Sequence, residues 1–92
     1  MPLQVELVSA SHKVWSGDAS MVVARTVDGD LGVLPGHSPV LAVLAPSEIT
    51  IKPIEGSELV VTCDGGFLSV EHDRVMIVSD RAELGTASAP GR

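Results

Sequence analysis

Ninety-two residues, 45% of them hydrophobic, specify one domain with one core, and that core must be aliphatic because Trp15 and Phe67 are the only aromatic residues. Twelve acidic against six basic residues give a formal net charge of −6, which repels nucleic acid and anionic lipid headgroups and favours a basic protein surface as partner. The single Cys63 excludes an internal disulfide; at the end of Leu59-Val60-Val61-Thr62-Cys63 it reads as a buried thiol of a reducing compartment.

The dominant period along the chain is two. Leu3, Val5 and Leu7 alternate with Gln4 and Glu6, as in a strand with one buried face. A turn is expected at Ser16-Gly17-Asp18, then a β-branched-rich run from Met21 to Val27, then a second turn at Asp28-Gly29-Asp30. Ile49 and Ile51 alternate with Thr50 and Lys52 as another strand, closed by Glu55-Gly56-Ser57. Leu59 to Cys63, Phe67 to Val70 and Val75 to Ser79 are more uniformly apolar, as is Met21 to Val27; all four suit strands buried on both faces or lying inside a sandwich. Asp64-Gly65-Gly66 and His72-Asp73 supply the turns between them. No stretch of ten residues keeps a helical period, so the fold class is all-β, an antiparallel β-sandwich or flattened barrel over residues 1–84. The segment 85–92, of small residues with one proline, reads as a flexible tail.

No run approaches the eighteen or so apolar residues of a membrane span, since Val33 to Leu44 is broken by Pro35, Gly36 and Pro39. The start of the chain alternates and is acidic, unlike a signal peptide. The expectation is a soluble, cytoplasmic chain that a partner holds wherever it works at a membrane.

Signs of catalysis are few. Lys13 and Lys52 are followed by Val14 and Pro53, so no Gly-Lys-Ser/Thr phosphate loop is present. His12, His37 and His72 fall in separate turns without metal-ligand spacing. Ser38 follows His37, but adjacency in sequence does not align a nucleophile with its base. The pairs Asp28 with Asp30 and Glu55 with Glu58 read as solvated turn formers. No catalytic residue, metal or cofactor is expected. A small-ligand module, for carbohydrate as one example, is the alternative; it would need exposed aromatics for stacking, and the chain has two aromatics in all.

The most informative run is Gly29-Asp30-Leu31-Gly32-Val33-Leu34-Pro35-Gly36-His37-Ser38-Pro39-Val40-Leu41-Ala42-Val43-Leu44, whose prolines and glycines specify an irregular backbone between apolar segments. It resembles the signature of the epsilon subunit of F-type ATP synthases, of the actinobacterial kind. The resemblance extends over Val5-Glu6-Leu7-Val8-Ser9-Ala10, Val14-Trp15-Ser16-Gly17, Gly65-Gly66-Phe67-Leu68-Ser69-Val70 and Val75-Met76-Ile77-Val78-Ser79-Asp80. It implies a flattened sandwich of about ten short strands and a non-catalytic central-stalk subunit. Such a subunit binds the gamma subunit and the c-ring of the membrane sector, on the cytoplasmic face of the bacterial cell membrane, and couples proton flow to ATP synthesis. Carried over by position, Ser9, His37, Ser38 and Leu41 fall at the gamma-facing surface. Asp30 falls where the family usually has a glutamate facing the ring. After Arg81-Ala82-Glu83-Leu84 the family continues into a helical hairpin that restrains hydrolysis and in some members binds ATP. The residues here have no counterpart to it, so the resemblance does not extend to those two properties.

Overall fold

The computed structural model describes residues 2–10 and 12–86, and within them the chain is all β. Seven strands follow in order: β1 (Leu3–Val8), β2 (Lys13–Thr26), β3 (Gly29–Val33), β4 (Val40–Pro53), β5 (Leu59–Glu71), β6 (Arg74–Val78) and β7 (Ala82–Thr86). β7 therefore takes in the first two residues of the expected tail, the rest of which lies outside the described residues.

The long strands change neighbours partway along. β2 pairs with β1 up to Ala19 and with β3 from Val22. β5 pairs with β7 from Leu59 to Cys63 and with β6 from Phe67 to Glu71. β4 follows β5 throughout in one register, from Val40↔Val70 to Ile51↔Leu59. Each of the three thus contributes a segment to both layers of the sandwich. One layer runs β2, β1, β6, β5, β4 and the other β3, β2, β4, β5, β7, so seven strands supply the expected ten strand segments. Among these pairings β1–β6 is parallel and the others are antiparallel, so the sandwich departs from the all-antiparallel expectation at that one place.

Two expected turns are strand interior. Gly17 pairs with Val5, and a Cβ there would stand 2.9 Å from Cζ2 of Trp15. The glycine makes room for the indole, which is partly buried against the core, rather than turning the chain. Gly65 and Gly66, at φ +94° and +128°, bend β5 from one layer into the other without ending it. Only glycine holds such angles without strain. Glu55-Gly56 and His72-Asp73 bend the chain within the segments read as turns from sequence, whereas the β2–β3 turn falls at Val27-Asp28, so that Val27 leaves the expected strand and Gly29 and Asp30 join β3.

The core between the layers is aliphatic, with Leu3, Leu7, Val22, Ile49, Ile51, Val61, Leu68 and Ile77 fully buried and Cys63 buried beside them. Ser79 is, with Ser9, one of the two buried polar residues among those described. Its hydroxyl lies 2.5 Å from the Gly65 carbonyl and 2.9 Å from that of Arg81, tying the bend in β5 to the approach of β7. Ser79→Ala takes the hydroxyl donor from the Gly65 carbonyl, while that of Arg81 keeps the Asp64 N–H at 3.1 Å, and the expected loss is about 1–3 kcal/mol, a calorimetric melting shift of the order of 10 °C. A shift below about 2 °C would show that neither carbonyl depends on the hydroxyl.

Candidate functional site

The runs read as buried on both faces or lying inside a sandwich alternate as sandwich strands do, and in Phe67 to Val70 and Val75 to Val78 the second face is open. Across β4, β5 and β6 the register aligns Val43, Phe67 and Val78 in one row and Leu41, Ser69 and Met76 in the next. All six point away from the core. Leu41 is 72% exposed, Phe67 54% and Val43 46%, with Met76 and Val78 close to 40%. Monomeric surfaces scatter apolar side chains, whereas this is a contiguous patch on one sheet, of the kind that marks an interaction site. Val8, paired with Val78 on β1, extends it on one side. On another side Val27, 64% exposed, extends it, because its N–H donates to the Val43 carbonyl at 3.0 Å.

The rim is polar. Next to Met76 stands Glu6, whose carboxylate meets Lys13 Nζ at 2.8 Å, and beyond it Arg74 stands beside Gln4. The outer face of the other layer mixes Arg25, Asp30, Glu48, Thr50, Lys52 and Thr62 with Met21, Val23 and Val60, which are half-buried there. The two faces therefore differ in how far their apolar side chains are exposed.

Of the residues singled out from sequence, Leu41 lies within the apolar patch. His37 and Ser38 lie in the 34–39 loop that leads into β4, His37 partly buried and Ser38 exposed. His37 Nδ1–H donates to the Ser38 carbonyl at 2.7 Å, and its backbone N–H to Leu34 at 3.1 Å. Ser9, just past β1, is only 6% exposed, and its hydroxyl donates to the His12 carbonyl at 3.2 Å. The structure thus brings His37, Ser38 and Leu41 to one end of the patch and sets Ser9 at the other, beyond Val8.

Asp30 lies on the β2–β3 hairpin with its side chain two-thirds exposed, and its Oδ1 meets Nε of Arg25 directly across the ladder at 3.1 Å. The hairpin is fastened by Thr26, whose hydroxyl donates to the Gly29 carbonyl at 2.7 Å and accepts the Asp28 N–H at 3.1 Å. An ion pair this exposed contributes about 0–1 kcal/mol, so Asp30 is available to another charge.

Sequence reading missed Val43, Phe67, Met76 and Val78. The signal was there in the uniform apolarity of the runs, which has two meanings: a strand between two protein layers, or a strand with one face on the core and the other on a partner. A cleft of about 490 Å³ opens near Ser9, His12, Cys63, Asp80 and Arg81. Among the described residues that line it there is no Trp, Tyr or Phe, the side chains that stack best on a sugar ring. No helix among the described residues is long and apolar enough to cross a membrane.

Residues 2–85 match the family model for the ATP synthase delta/epsilon chain β-sandwich domain. The ATP synthase epsilon chain of Micrococcus luteus is 49% identical over 87 residues, covering 95% of this chain and 96% of the relative. That of Frankia casuarinae is 54% identical over 84 residues, covering 91% and 99%. The Streptomyces griseus epsilon chain is longer: a 48% identical match over 82 residues covers 89% of this chain and 66% of that one. In the solved mitochondrial ATP synthase of Euglena gracilis, an assembly of OSCP, F1 and c-ring, one chain superposes with a TM-score of 0.85 at 24% identity. The match covers 90% of this chain and about half (53%) of that one, and at such identity it shows the shared fold. With the sandwich, the family model and relatives near half identity in agreement, the chain belongs to the ATP synthase delta/epsilon family as an epsilon chain, a non-catalytic subunit of that enzyme.

Proposed function

We propose that the apolar outer face of β4, β5 and β6 binds the gamma subunit, that the hairpin bearing Asp30 meets the c-ring, and that the chain thereby couples proton flow to ATP synthesis. The observation that carries this reading is the patch of Leu41, Val43, Phe67, Met76 and Val78, exposed in the free chain and framed by charge. An apolar centre with a polar rim is the anatomy of a protein–protein interface. Val27 joins that face to the hairpin, so two partners can be held side by side. The Tetrahymena thermophila neighbour, TM-score 0.76 at 18% identity, is a chain of a central stalk and c-ring assembly, which is where this reading puts the present chain. The site of action is then the cytoplasmic face of the bacterial membrane, with the chain held there by its partners.

A close-packed sandwich gripping both partners transmits load without slipping, because dense interiors have low compressibility. The test is reconstitution with gamma and with c-ring assemblies, comparing wild type with Asp30→Lys. Charge reversal at an exposed rim changes association more than stability, so ring retention is expected to fall about tenfold. Gamma retention should hold, and the melt should stay within about 1 kcal/mol. Unchanged ring retention would return Asp30 to the role of a solvated hairpin residue paired with Arg25. Failure of wild type to retain gamma would overturn the reading of the face.

A further inference from the structure

We propose that Asp73 is a positioning residue for the partner face: its carboxylate holds the 34–39 loop in the conformation that meets gamma. This rests on the gamma-binding reading of the face.

His72 and Asp73 form the two-residue connection between β5 and β6, and both have positive φ, 52° and 62°. Tight hairpins of this kind favour Asn-Gly or Asp-Gly, because a side chain in the left-handed region crowds its own carbonyl. Asp73 therefore stands where glycine is the less strained choice. Non-glycine residues keep such angles when surrounding contacts hold them there.

The contacts join three separate segments. Asp73 Oδ1 accepts the Gly36 N–H at 2.7 Å, across a sequence separation of 37. Its backbone carbonyl accepts the Gln4 N–H at 2.8 Å, at the start of β1. One residue thus links the β5–β6 hairpin to the strand beside it and to the loop above. Gly36 itself has φ +88° and nothing within 4 Å of where a Cβ would be; its bend is closed locally by His37 N–H on the Leu34 carbonyl at 3.1 Å, and no side chain of its own ties it to the sheet. A charge-assisted hydrogen bond supplies the fixed point instead. From that point the loop presents Leu34, His37 and Ser38, and it runs directly into Leu41 at the end of the apolar patch. Fixing the loop before the partner arrives removes an ordering penalty from association.

Two variants separate this role from ordinary stabilisation. Asp73→Gly relieves the backbone strain and deletes the carboxylate. Asp73→Asn keeps an acceptor oxygen at the same reach and tolerates left-handed backbone. In the full 92-residue chain, amide exchange at Gly36 and His37, the melting temperature and calorimetric affinity for purified gamma are measured for each. Asp73→Gly is expected to melt at or above wild type, to exchange at Gly36 about tenfold faster and to bind gamma about tenfold more weakly. Asp73→Asn should stay within about threefold of wild type in exchange and affinity, rescuing both.

Stability and affinity moving in opposite directions in Asp73→Gly is the signature of positioning. Unchanged Gly36 exchange in that variant overturns the proposal, and so does faster exchange with unchanged affinity. If wild type does not bind gamma, the reading of the face fails and the partner half of this inference falls with it. The exchange comparison needs no partner and still separates a held loop from a free one.

Discussion

Gly66→Ala is expected to destabilise the chain by about 3–5 kcal/mol, a loss that lowers the melting temperature by at least about 15 °C in a domain of this size. Two causes act together. Gly66 has φ +128°, which side chains rarely adopt, and a Cβ there would collide with the Val78 carbonyl oxygen and stand 2.9 Å from Cα of Ser79. The obstacle is backbone, and it cannot retreat. Val78 is paired with both Phe67 and Val8, while Ser79 N–H donates to the Val8 carbonyl at 3.0 Å and its hydroxyl reaches Gly65. Gly32→Ala is the control, since nothing lies within 4 Å of its Cβ position and its φ is not in the left-handed region. It should stay within about 0.5 kcal/mol of wild type. Chemical and thermal melts of both variants check the contrast; a Gly66→Ala chain that melts with wild type would mean that β5 does not bend over β6 as described.

The largest effect on binding is expected from Phe67→Asp. Phe67 lies between Val43 and Val78 in the middle of the apolar face and is 54% exposed in the free chain, so the substitution removes the centre of the patch without opening the core. Central aromatic residues dominate interface energetics, and a buried unpaired carboxylate adds its own desolvation penalty. Affinity for gamma should fall at least about 100-fold, while the melt changes by less than about 1 kcal/mol. Titration calorimetry beside differential scanning calorimetry measures the two. Retained affinity would show that gamma docks elsewhere.

What the sequence made legible follows from how local each signal is. Strict alternation in Leu3 to Leu7 and around Ile49 and Ile51 identifies those strands, because one period fits one buried face. The β5–β6 and β2–β3 turns are readable from His72-Asp73 and Asp28-Gly29 for the same reason. Gly17 and Gly65-Gly66 mislead, because glycine serves close approach as well as turning: one lies under the Trp15 ring and the other pair carries β5 between layers. The parallel β1–β6 pairing joins segments about seventy residues apart, and no local pattern specifies it. At the site, the Pro-Gly-His run is conspicuous in sequence, yet the residue that anchors it, Asp73, is 37 positions away from Gly36. Phe67 and Val78 were visible as apolar, but whether an apolar position faces a core or a partner depends on which layer lies behind it.

The strands that cross between layers also govern how the molecule comes apart. In a sandwich of two independent sheets one can melt while the other lingers. Here β2, β4 and β5 each belong to both, so stripping either layer unzips half of three strands that the other still needs. Neither sheet is therefore expected to act as a separate foldon, and coincident loss of both layers in a melt is the expected result. The same long-range pairing makes assembly slow, since loops must close over most of the chain before the β1–β6 ladder rewards them. A sandwich that forms slowly and loses both faces together is what this pairing leads one to expect.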